Sequence, residues 1–162
     1  MTEISQLLER FRRGPEVIAT ATTGVAGSQL DFVPEPGKWS IRQILCHLAD
    51  SELVGATRFR WVIAQENPTL LAFDQEAWAA SLNYSSRRIS QTLESFRRMR
   101  AENYELLKGL PEETFARTAD HSEAGRMTLL DLLRMYAEHA EKHAQQMMNL
   151  RKLYKEWMAG SK

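Results

Sequence analysis

Apolar residues recur along this chain at intervals of three and four, the spacing that gives an α-helix one buried face. Ile4, Leu7, Leu8, Phe11, Ile18, Ala21 and Val25 mark a first helix over about 2–26. Gly14-Pro15 falls inside it and predicts a kink or break, because proline has no amide hydrogen to give the helix. The connection SQLDFVPEPGKW follows, too rich in Pro and Gly for regular structure. Ser40 and Gln43 then form a capping box for a second helix, whose stripe is Ile41, Ile44, Leu48, Gly55, Phe59 and Val62 and which stops before Asn67-Pro68. Residues 69–84 read as a crossover in which Asp74 caps a short helix through Trp78. Ile89, Leu93, Phe96, Arg100, Tyr104 and Leu107 define a third long helix over about 86–108, closed by Gly109 with Pro111 beyond. After a loop holding His121 and Gly125, Thr128 and Asp131 cap a fourth helix, whose inward face carries Leu132, Tyr136, Met147 and Leu150. Four long amphipathic helices, with a long crossover between the second and third, predict an all-α four-helix bundle forming one domain over 1–162.

Composition narrows the function more than the fold. The 162 residues balance at a formal net charge of +0, so bulk electrostatic attraction to nucleic acid or an anionic membrane is not expected. The basic runs at Arg87-Arg88 and Arg97-Arg98 read as solvated helix surface. A single cysteine, Cys46, excludes an internal disulfide and suits a reducing, cytoplasmic location. No secretory leader and no membrane span are expected.

The chemistry concentrates on the fourth helix. His139 and His143 stand one turn apart on the face that carries Tyr136 and Met147, close enough to share an ion. Two inward histidines are either half of a metal site or two polar groups that need partners. His47 sits on the shoulder of the second helix's stripe, with Ser51 and Arg58 on its side and Asp50 one turn on; by itself it reads as a half-buried, hydrogen-bonded residue. Arg100 interrupts an apolar stripe and needs either an internal carboxylate (Asp50, Glu52 or Glu138) or an acidic ligand.

Three stretches, KWSIRQILCHLADSE at 38–52, FDQEAW at 73–78, and HSEAGRMTLLDLL followed by HAEKHAQQM through Met147, resemble the DinB/YfiT superfamily of metal-binding helical bundles. The resemblance implies that His47 joins His139 and His143 on one divalent ion, zinc or nickel, leaving a position open to ligand. It further implies a thiol S-transferase that uses a bacillithiol- or mycothiol-like cofactor and an electrophilic substrate. Arg100 and Arg58 would hold the acidic parts of that thiol, and Arg100 or Asp50 would serve in catalysis. Asp50 and Glu138 would orient the ligating imidazoles, and His121 would lie at the rim or stabilise its loop. A metal-dependent hydrolase and a non-catalytic metal-binding stress domain are the other readings. Relatives' behaviour, with Trp61, Trp78 and Trp157 on helix surfaces, points to a homodimer.

Overall fold

The computed structural model describes residues 1–161. The first helical stretch breaks where proline requires it, into α1 (Glu3–Arg12) and α2 (Gly14–Thr22), which together fill one corner of the bundle. The other corners are α3 (Ile41–Ala64), α5 (Ile89–Lys108) and α6 (Leu129–Gly160), with the short α4 (Gln75–Ser81) inside the crossover. Both expected capping boxes form. Ser40 Oγ accepts from the Gln43 amide at 3.2 Å while Gln43 Oε1 accepts from the Ser40 amide at 2.9 Å. Thr128 and Asp131 do the same at the start of α6. Asp74 caps α4 by accepting from the Ala77 amide.

The loop expected between the third and fourth long helices is partly sheet. Strand β2 (Thr118–His121) turns through Gly125, at φ +73°, into antiparallel β3 (Gly125–Thr128). On its other side β2 pairs in parallel with β1 (Thr69–Leu70), Leu70 opposite His121. This small sheet ties the crossover to the start of α6.

The core lies in two apolar blocks. One gathers Leu7, Phe11, Phe59, Val62, Leu107 and Leu132; the other gathers Ile18, Ile41, Ile44, Leu48, Phe96 and Met147. Buried polar side chains form a layer with them: His47, Ser51, Glu52, Arg58, Arg100 and Asn103. Polar groups inside a bundle are costly unless partnered, so each of these calls for an account of what it touches.

Candidate metal centre

His47 is buried at 2% exposure, deeper than its shoulder position on the stripe suggests, because α6 packs directly over that side of α3. Its Nε2 lies 2.9 Å from Nε2 of His139, which lies 3.1 Å from Nε2 of His143. One donor atom from each ring falls within 4.8 Å of the others, and no other His, Cys, Asp or Glu joins this group among the described residues. Ser51 Oγ stands 3.4 Å from His47 Nδ1. On α6, Gln146 fixes the third ring: its Oε1 is 2.8 Å from His143 Nδ1, a contact that needs the hydrogen on Nδ1 and leaves the Nε2 lone pair facing inward. Gln146 escaped the sequence reading, although its place three residues after His143 is the available signal.

All three imidazoles are held neutral. Burial first, then the nearby His143, brings His47 down to about 4. Burial, with both neighbouring rings, keeps His139 well below its ordinary value, and burial also lowers His143. The residues fit a divalent cation on this chemistry. Three ring nitrogens converge, and His139 Nε2 has at most one hydrogen to offer its two neighbours, so lone pairs oppose each other unless a cation accepts them.

Aromatic side chains border the centre. The Trp39 ring stands 5.0 Å from that of His47, Phe73 stands 6.3 Å from it, and Trp78 packs on Phe73 at 4.5 Å. Trp39 Nε1 donates to Glu76, holding α4 against the end of the preceding connection. Trp78 is therefore half-buried beside the site, while Trp61 and Trp157 are exposed.

Several expected site residues are committed elsewhere. Arg100, 1% exposed, donates through Nε and Nη2 to both Glu52 oxygens (2.8 and 2.7 Å), and to the carbonyls of Phe11 and Tyr136. Its charge is met inside the protein, so it is not a ligand-binding or catalytic arginine. Asp50 is clasped by Arg87 at 2.6 and 3.1 Å and accepts from the Tyr84 hydroxyl at 2.9 Å, which removes it both as a catalytic group and as an imidazole partner. Glu138 makes a 3.9 Å ion pair with Lys142 and no hydrogen bond to a histidine. His121 belongs to β2, where its Nδ1 accepts the Glu123 and Ala124 amides at 3.2 Å; it secures the hairpin turn. Cys46 is buried outside the group, and burial raises its thiol pKa. Arg58 does reach inward, donating to the Tyr136 hydroxyl and to the Leu71 carbonyl.

A helical bundle whose facing helices gather three neutral histidines is a metal-site scaffold. The profile of the DinB superfamily matches residues 10–147, and the chain belongs to that superfamily. A Geobacillus kaustophilus protein named provisionally as a metal-dependent hydrolase is 29% identical over 93% of this chain and 85% of its own length. An Oceanobacillus iheyensis protein with the same provisional name is 27% identical over 95% and 88%. Among solved structures, YfiT from Bacillus subtilis, described as a probable metal-dependent hydrolase with an unusual four-helix bundle topology, superposes with a TM-score of 0.86 at 25% identity, covering 92% of this chain and 86% of YfiT. The mycothiol-dependent maleylpyruvate isomerase shares the fold at a TM-score of 0.72 and 12% identity, over 89% of this chain and 60% of the isomerase.

Proposed function

We propose that this protein is a cytoplasmic divalent-metal enzyme that transfers a small thiol to an organic electrophile. The observation that carries the reading is the convergence of three neutral imidazole nitrogens that no fourth His, Cys, Asp or Glu joins among the described residues. A structural zinc site is closed by four protein ligands, whereas a site with three leaves room for a reactant. His47, His139 and His143 would hold zinc or nickel, and Gln146 keeps His143 turned toward the ion. The ion would supply Lewis acidity, making a thiol or a water acidic enough to ionise near neutral pH.

The surroundings favour the thiol. Neither Asp50 nor Glu52 is free to take a proton from a weakly acidic water, since both are engaged by arginines. A thiol needs less help, being some seven pKa units more acidic than water before any ion acts. Trp39, Phe73 and Trp78 offer an apolar wall for an electrophile and keep bulk water off its reacting carbon. Hydrolysis is the second reading, favoured by the names of the relatives. Homodimerisation belongs to the same proposal; Leu153, Trp157 and Met158, all exposed at the end of α6, supply an apolar face for it.

Metal analysis of purified protein followed by a screen of thiols against electrophiles tests the reading. One ion per chain is expected, lost on His47→Ala and retained on His121→Ala, with turnover that requires both thiol and metal. An ion that survives His47→Ala overturns the site, and turnover of esters or amides without thiol assigns the chain to hydrolysis.

A further inference from the structure

Two buried arginines lie in the polar layer, and they differ in one respect. Arg100 closes the edge formed by Nε and Nη2 on the carboxylate of Glu52. Arg58, 5% exposed on α3, meets no carboxylate among the described residues. Its Nη1 donates to the Tyr136 hydroxyl at 3.3 Å and its Nη2 to the Leu71 carbonyl, both neutral acceptors. Its Nε has no partner, and it is the one buried side-chain nitrogen or oxygen in that condition among the described residues. A guanidinium cannot shed its proton, so this is a buried positive charge with no counter-ion among the described residues.

Tyr136 touches this charge on one side and borders the histidines on the other. The Tyr136 ring, which accepts from Arg58 through its hydroxyl, lies 6.4 Å from the His139 ring. Gly55 makes the space: a Cβ there would come within 2.5 Å of Tyr136 Cε1. Leu71, whose carbonyl rests on the guanidinium, is exposed and lies two residues before Phe73, which borders His47. One surface segment thus covers Arg58 and edges the metal centre.

We propose that Arg58 binds a carboxylate of the substrate or co-substrate: the anion takes the Nε and Nη2 edge, displacing the Leu71 carbonyl, with the Tyr136 hydroxyl beside it. The fork is the one Arg100 already makes with Glu52, completed here by a carboxylate from outside the chain. The position of the rest of the ligand, toward His139, rests on the proposed function; the carboxylate site itself does not.

Calorimetry on zinc-loaded protein can separate the two, using 3-mercaptopropionate, 1-propanethiol and succinate. The carboxylate-bearing thiol should bind at least about tenfold tighter than propanethiol, the ratio expected of a charge-assisted hydrogen bond. Arg58→Gln should abolish that advantage and leave propanethiol binding unchanged. Equal affinities in the parent protein, or an advantage that survives Arg58→Gln, overturn the proposal. If neither thiol binds, thiol transfer fails as a function and succinate decides Arg58: a tenfold loss on Arg58→Gln supports the site, while no binding or no loss refutes it. Thermal melting guards against a structural explanation. Removing an unpaired charge in Arg58→Met should leave the melting temperature equal or higher, and a fall as large as that of Arg100→Met would overturn the assignment.

Discussion

Glu52 receives three donors: Nε and Nη2 of Arg100 and Nδ2 of Asn103. With Arg100 it forms an ion pair 1% exposed at both ends, so removing either partner leaves a charge stranded from water. Arg100→Met is expected to cost about 3–5 kcal/mol, on the order of 10 °C in melting temperature for a chain of this size. Adding Glu52→Leu should recover most of it, since a matched apolar pair needs no counter-charge; a urea melt of single and double variants checks this. A single variant as stable as the parent would mean that Glu52 finds another partner. The sequence showed that Arg100 points inward and needs an acid, but it offered Asp50, Glu52 and Glu138 as equals. The choice rests on how α3 turns toward α5. Asp50 and Glu52, two residues apart, leave that helix about 200° from each other, and one of them reaches Arg87 instead.

The long helices were legible element by element because each carries its own stripe, cap and stop. The break at Gly14-Pro15, the two capping boxes and the end at Gly109 are local chemistry that needs no tertiary knowledge. The sheet was not legible. Its strands are two and four residues long, too short to show alternation, and β1 gains its partner only when the crossover folds back on β2. Glycines inside helices were under-read for a related reason. Gly14 signals a break, yet a Cβ there would also lie 2.5 Å from Arg100 Nη1, so its smallness admits the guanidinium to the Phe11 carbonyl. Gly55 does the same for Tyr136. Gly55→Ala gains up to about 1 kcal/mol of helix propensity but forces the Tyr136 ring aside, at a typical overpacking cost of about 1–3 kcal/mol. The net expectation is a lower melting temperature, together with weaker binding of any ligand that leans on Tyr136. Unchanged melting would show that the ring has a second position.

At the scale of the molecule, pH and metal act through the same three rings. The imidazoles are neutral in folded and unfolded chains well above about pH 6.5, so they contribute no pH dependence to the metal-free protein's melting there. Below that, the unfolded chain takes up protons that the buried rings refuse, and stability falls as pH drops from about 6.5 toward 4, the value for His47. A metal ion held by the three rings would oppose this by binding the folded arrangement preferentially. At one hundred times its dissociation constant it adds about 2.7 kcal/mol, a gain that chelation at pH 8 should remove and that acid should erode. Melting curves with and without chelator across that range test both signs; superimposable curves at pH 8 with verified metal loss would remove the ion from the stability of the fold.

The polar layer has a further consequence, for alignment. Bare apolar stripes on four helices tolerate sliding, since one Leu resembles the next a turn away. Here a slip of one turn, about 5.4 Å, would pull Arg100 off Glu52. Leu48 or Ala56, both buried and apolar, would stand in place of Glu52, and the guanidinium would lose its carboxylate. The charges that cost most to bury thereby act as a key, leaving the helices one depth at which all of them fit.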